Sequence, residues 1–526
     1  MKLLHNAHIH TQNPAQPTAS AIVIDSERIL AVGDRSALFA EYPNAKKQDM
    51  HGRIILPGLT DAHLHLKHYS LALQKIDCEV DTQEECLRRV AERVSKSKPG
   101  EWILGHGWNQ NVWPNGWPTA SELDAIAPNH PVYLTAKSLH AAWANTKAMQ
   151  MANITAQTPD PHNGQIQRDS TGYATGVLLE TAMELVGNVI PEPSIAEIAA
   201  AIENTQPVLW KLGLTGVHDF DRRDSFMALQ QLHANKKLKL RVLKNIPVEL
   251  LDEAHALGLR GGFGDDMLRI GNVKVFMDGA LGPHTAAMFQ PYIAEGENRG
   301  ILNMDGEELF EHGRKAAQVG LGMTVHAIGD RANHEVLNAY EQLRMYESEN
   351  HLPALRHRIE HVQVIHPDDA PRLAQLKVIA SMQPIHATSD MLMADKYWGE
   401  RSCLAYAMKT QLDFGAPLAL GSDAPVESPN PFWGLHAAVT RRRADGSPSA
   451  EGWYPEQKLT MAEAFSGYTL GAAYAAYMED RLGRLAPNFL ADLIVLEKDP
   501  FTCDPNDLLA LESSATMIGG EWVLHP

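Results

Sequence analysis

Pro57-Gly58-Leu59-Thr60-Asp61-Ala62-His63-Leu64-His65 is an apolar run that ends in His-x-His. Residues two apart on a strand point to the same side. A strand ending here therefore aims both imidazoles at one point, where they can grip a metal ion. The remaining ligands must then come from the ends of neighbouring strands.

Seven further apolar segments follow, at 215–219, 241–246, 272–277, 323–327, 357–362, 378–383 and 417–422, with 59–65 as the first of eight. Amphipathic stretches alternate with them, the pattern of a parallel sheet wrapped in helices. One helix starts at the S-x-x-E capping box of Ser194 and Glu197, and Pro207 should kink or interrupt it. Another is expected from Asp305 to about Gly320. Eight strands with helices between them predict an α/β fold, a distorted (β/α)8 TIM barrel whose site lies at the C-terminal strand ends.

Candidate ligands fall at those ends. His63 and His65 end the first strand, Lys274 lies in NVKVFMDG, His326 in MTVHAIGD, His361 in RHRIEHVQ and Asp423 in PLALGSDAP. Imidazoles and oxygen donors suit a divalent metal, zinc first, with one or two ions. Zinc lowers the pKa of a bound water to about 7 and so yields hydroxide at neutral pH. Asp423 is placed to take that water's proton and pass it to a leaving nitrogen. A protonated lysine cannot bind a cation, so Lys274 would serve as a ligand only if carbamylated. The other reading pairs it with Asp278 or Asp423. His8-Ile9-His10 repeats the spacing but reads as a surface strand with no carboxylate in register.

The termini read as short strands, LLHNAHIHT and SAIVIDSERILAVGD first, ADLIVLEKDP and SATMIGGEWVLHP last. They predict a small β-sandwich domain from residues 1–56 and 477–526, flanking a barrel at 57–476. The long gap after the first barrel strand, about 70–210, is expected to be an insertion over the barrel mouth. Its tryptophans, Trp102, Trp108, Trp113, Trp117 and Trp143, either line an apolar pocket or pack the insertion.

Composition narrows the class. The 526-residue chain is 44% apolar and 21% charged, ordinary for a globular protein. A net charge of -18 argues against nucleic acid and anionic membrane as partners. Four cysteines without C-x-x-C fit a reducing cytosol rather than a disulfide framework. MKLLHNAHIHTQN lacks the apolar core of a signal peptide, and no run approaches a membrane span. The expectation is a cytoplasmic protein acting on a small molecule, with homo-oligomerisation left open.

Six motifs in order, PGLTDAHLH, VKVFMDGALGPHTAAM, VHAIGDRAN, RHRIEHVQ, SMQPIHATSD and LGSDAPVESPNP, resemble the amidohydrolase superfamily. The nearest branch is amidohydrolase family 3, also called YtcJ-like, which includes N-substituted formamide deformylases. The resemblance spans nearly the whole chain, and GRLAPNFLADLIVLEKDP resembles that branch's return to the β-sandwich. It implies a metal or catalytic role for His63, His65, His326, His361 and Asp423, and a bridging role for Lys274. Asp330, Glu360, Gln383 and His386 fall in matching motifs as partners that orient the ligands. Trp108-Asn109 and Ala136-Lys137-Ser138-Leu139-His140 depart from the branch's pattern and leave the substrate undetermined; His140 either faces the pocket or packs.

The implied activity is hydrolysis of a non-peptide carbon–nitrogen bond in an amide, formamide or cyclic amide. One alternative is deamination of an amino-heterocycle. Related deaminases place a glutamate shortly after the fifth-strand histidine, and here none occurs before Glu335. A non-catalytic metal-binding barrel is the other alternative, and it should have lost ligands. No G-x-S-x-G elbow supports serine chemistry.

Overall fold

The computed structural model describes residues 1–138 and 140–526. Its chain forms two units, Met1–Tyr69 with Ile202–Pro526, and Ser70–Ala201.

The first unit holds a barrel of eight strands: β1 (Leu59–Leu64), β2 (Leu214–Asp219), β3 (Arg241–Pro247), β4 (Leu268–Phe276), β5 (Met323–Ala327), β6 (Arg358–His361), β7 (Ile379–Met382) and β8 (Leu418–Leu420). Each is parallel to its sequence neighbour. These runs are almost wholly buried, polar residues included, as suits strands covered on both faces. The ring is nearly closed. Past the end of β8, the Asp423 N–H donates to the His63 carbonyl at 2.7 Å and the His65 N–H to the Ala424 carbonyl at 2.8 Å. The approach is tight, since a Cβ on Gly421 would lie 2.5 Å from the His63 nitrogen. Closure thus draws Asp423 onto the His-x-His strand.

Crossover helices begin where the caps predict. Asp305 caps Gly306–Gln318 through the Glu308 N–H at 2.9 Å. Ser194 and Glu197 bond reciprocally ahead of Ile195–Lys211. That helix does not stop at Pro207, contrary to the expected interruption. The Gln206 side chain donates towards the Glu203 carbonyl, the helical acceptor that Pro207 leaves without a partner.

Both termini build one eight-stranded sheet, as expected. Lys2–His10 lies between Thr18–Asp25 and Ile54–Pro57, and the latter pairs with Leu493–Leu496. Alternation gives the sheet two apolar faces. Leu4, Ile9, Ile22, Ile24, Val495 and Met517 fill one. Leu3, Ala21 and Val23 meet Leu38 and Ala45 on the other. The small domain is bolted to the barrel by the buried pair of Arg241, at the start of β3, and Asp492.

The second unit carries a six-stranded sheet with the helices Gln83–Lys96 and Ala120–Ile126. Trp108, Trp113 and Trp143 are buried in its core, each indole N–H donating to a backbone carbonyl. Packing, not pocket lining, is their role. Trp117 remains half exposed. Among the described residues, no helix is long and apolar enough to cross a membrane.

Candidate metal centre

His63 and His65 leave the end of β1 towards the strand-end rim, with Asp423 facing both. The Nε2 atoms of His63 and His65 lie 3.5 and 3.4 Å from Asp423 Oδ1. A second triad, His361, His386 and Asp423, shares the same carboxylate. The His326 ring stands 4.6 Å from that of His361. Lys274, on β4, places Nζ 4.6 Å from the ring centres of both Phe220 and Phe276. The Phe220 ring in turn stacks on His63 at 3.8 Å. Tertiary structure therefore brings His63, His65, Lys274, His326, His361 and Asp423 to one place. Two of them sit in left-handed backbone, His361 at φ 79° and Asp423 at φ 62°, a strain typical of functional sites.

The hydrogen-bond partners fix which nitrogen of each ring is free. His63 donates from Nδ1 to Glu360 at 2.7 Å, His65 from Nδ1 to Asp221 at 3.2 Å, and His361 from Nδ1 to Gln383 Oε1 at 2.8 Å. His63 and His361 thereby present an Nε2 lone pair to the centre, and His65 turns its Nε2 to Asp423. His326 donates from Nε2 to the Gly279 carbonyl at 3.0 Å and keeps its lone pair on Nδ1. His386 differs. The Gln363 amide nitrogen donates to its Nδ1 at 3.2 Å, so His386 carries its proton on Nε2, a buried donor 3.9 Å from Asp423 Oδ2.

Burial makes these imidazoles weak bases and good ligands. It pulls His63 down to about 4 and His326 to about 3. Burial would also lower His65, but Asp221 and Asp423 outweigh it and lift that ring to about 9. Lys274 is lowered to about 8 by burial. Burial would raise Asp423, yet the facing histidines hold its carboxyl well below the usual range. His63 Nε2 and Lys274 Nζ are buried with no hydrogen-bond partner. Such orphaned atoms are costly unless something completes them. Neutral imidazoles at His63, His326 and His361, with His65 held by two carboxylates, around an ionised Asp423 fit a divalent metal ion, which would displace the His65 proton. Lys274 makes no ion pair among the described residues, so the expected alternative pairing with Asp278 or Asp423 is not the one adopted.

The other expected residues have separate places. Asp278 accepts the Ala287, Ile328 and Gly329 N–H groups, and Asp330 accepts that of Phe289. Both shape the loops around His326. His140 belongs to the other unit, exposed and paired with Glu180 at 3.0 Å. It lines a cleft of about 530 Å³ with Trp117 and Gln165. Leu139, in the same run, lies outside the described residues.

Sequence reasoning named Glu360 and Gln383 as orienting partners, but missed what holds Glu360 and missed Asp221 and Asp61 altogether. Glu360 is held by Arg358 at 2.8 Å and by Thr324, making a buried chain behind His63. Asp221 also accepts from His68 at 2.5 Å and the Lys67 N–H. Asp61 accepts Ser422 Oγ at 2.5 Å and the N–H groups of Ser422 and His63, tying β1 to the turn that carries Asp423. Asp219 and Asp221 close the apolar run LTGVH, so the strand-end rule that found the histidines applied to them as well.

A parallel barrel with polar ligands gathered at its C-terminal strand ends defines a metal-dependent hydrolase. The sequence model of the amidohydrolase family matches residues 47–524, and the chain belongs to that family. It is 33% identical to Protein LONG AFTER FAR-RED 3 of Arabidopsis thaliana, over 99% of this chain and 91% of that one. It is 27% identical to the N-substituted formamide deformylase of Arthrobacter pascens, over 98% and 97% of the two chains. Among solved structures, an uncharacterized metal-dependent hydrolase from Pyrococcus furiosus superposes with a TM-score of 0.78 at 31% identity, covering 95% of this chain and all of the other.

Proposed function

We propose that this enzyme hydrolyses a carbon–nitrogen bond of a small amide, with formamides and cyclic amides as the first substrates to test. One observation carries the proposal: Asp423 faces the Nε2 atoms of both His63 and His65 and also forms a triad with His361 and His386. Full-length similarity to an N-substituted formamide deformylase supports the choice of substrate class.

His63, His65, His326, His361 and Asp423 would hold the metal, and zinc suits the donors best. Lys274 would join them as its carbamate. Its amine is buried without a partner, and burial keeps more of it in the unprotonated form that adds to carbon dioxide. Bound metal would acidify a water and polarise the scissile carbonyl. The protein's own part is proton transfer and orientation. Asp423 takes the proton from the attacking water and delivers it to the departing nitrogen, so one carboxyl serves both halves of the reaction. Its backbone N–H, fixed on the His63 carbonyl, keeps it aimed. His386 donates from Nε2 to the substrate, held in that tautomer by Gln363. Glu360 and Asp221 orient His63 and His65.

The hydrolase reading is favoured over deamination. Asp330, the acid nearest after His326, is engaged by the Phe289 N–H. The Glu335 side chain lies by Gly306, at the start of an outer helix. We place the enzyme in the cytoplasm, in keeping with four unpaired cysteines. The test is to measure ions per chain and then screen N-substituted formamides and cyclic amides. Metal-loaded enzyme should turn over members of one class. Metal-loaded enzyme inert on both, but active on an amino-heterocycle, would overturn the proposal.

A further inference from the structure

The other His-x-His pair is not an unaccompanied surface strand. His8 and His10 project from the same face of Lys2–His10, their rings 4.8 Å apart. A carboxylate reaches them from the far end of the sequence. After Leu493–Leu496 the chain passes the start of Ile54–Pro57, where Arg53 pairs with Glu497 at 2.9 Å. It then sets Asp499 Oδ2 2.8 Å from His10 Nε2. One donor atom each from His8, His10 and Asp499 lies within 4.8 Å of the others.

Two of the three donors are fixed independently of any ion. Asp499 Oδ1 accepts the Phe501 N–H at 2.9 Å, which leaves Oδ2 turned towards the histidines. The Phe501 ring packs on His10 at 4.7 Å and is itself backed by Phe465 at 5.4 Å. His8 is exposed and completes the set from the solvent side. Pre-positioned donors lose less freedom on binding, which raises affinity without further contacts.

We propose that His8, His10 and Asp499 form a second divalent-metal site, built for a zinc-class ion and separate from the barrel centre. Two imidazoles and one carboxylate suit zinc, nickel or copper, with water filling the open positions. Magnesium and calcium, which call for oxygen ligands, do not fit the two nitrogens. The ion takes the place of the proton on His10 Nε2, and the neutral ring keeps a single proton on Nδ1 by exchange with solvent. Its effect is structural. It clips the first strand of the chain to the segment after the Leu493–Leu496 strand, across 489 residues of sequence. Binding to the folded state alone stabilises that small domain by mass action.

The test uses the full-length protein, stripped with chelator and re-equilibrated with zinc. Ions per chain are counted by elemental mass spectrometry for wild type, His8→Gln, His10→Gln and Asp499→Asn. At saturating zinc each variant should hold one ion fewer than wild type, whatever number the barrel holds. The zinc-dependent rise in melting temperature should shrink in each variant, while the metal-free melting temperature of His8→Gln matches that of wild type. An unchanged ion count in His8→Gln overturns the proposal, and so does an undiminished zinc-dependent rise. If His10→Gln fails to fold, His8→Gln decides, because that side chain is exposed and meets only the His10 ring.

Discussion

The molecule carries the same three letters of chemistry twice. His63-x-His65 and His8-x-His10 both lie at strand ends, both rings of each pair face one side, and each pair meets an aspartate. The difference lies in what surrounds them. His63 is wholly buried, backed by Glu360 and stacked on Phe220, with His326, His361, His386 and Lys274 closing in from four other strand ends. His8 faces solvent, and His10 has one carboxylate and one phenylalanine. Spacing on a strand makes a grip. Enclosure by a closing barrel lets the same grip activate water, because low dielectric strengthens charge interactions and further donors fix every ring.

The largest effect that would break this contrast is at Asp423. Asp423→Asn should lower turnover by about 10²–10⁴-fold or more through loss of the proton carrier, with circular dichroism showing an intact fold. Normal turnover would remove Asp423 from the mechanism. Next, chelation should abolish turnover and added zinc should restore it, measured as rate against free zinc. Activity that survives complete stripping would leave the barrel histidines without a metal function.

A smaller effect is expected behind the ligands. Asp221→Asn should weaken metal binding by about 10–100-fold, the usual cost of losing a carboxylate partner of a ligating histidine, read by competition with a chromogenic chelator. The buried Glu360→Gln should do the same, with added loss of stability because Arg358 keeps its buried charge. Smallest of all, His8→Gln should leave turnover unchanged and shift metal-free stability by no more than about 0.5 kcal/mol, as for other exposed positions. A large loss of turnover there would mean that the two sites are coupled.

Much of this was legible beforehand because strand ends are local. The runs containing His63, His65, Lys274, His326, His361 and Asp423 each announce a buried strand that yields to a polar turn, and barrel geometry puts such ends on one rim. Glu360 and Gln383 fell in readable motifs, but which ring each support holds was not legible, because the paired residues are distant in sequence: Glu360 is 297 residues from His63, and Asp221 is 156 from His65. The tryptophans were ambiguous because a buried indole serves a core or a pocket equally well. Only the core around Trp108 and Trp143, and the carbonyls their N–H groups reach, settled the matter.

The sequence by itself determined the alternation of barrel strands with helices, the candidate donors at each strand end, and the strand character of both termini. Those follow from alternation and periodicity, which act over a few residues. Tertiary structure decided which His-x-His pair is enclosed, which nitrogen each ring presents, and that Asp499 meets His10. These depend on contacts between segments hundreds of residues apart, and local pattern carries no record of them.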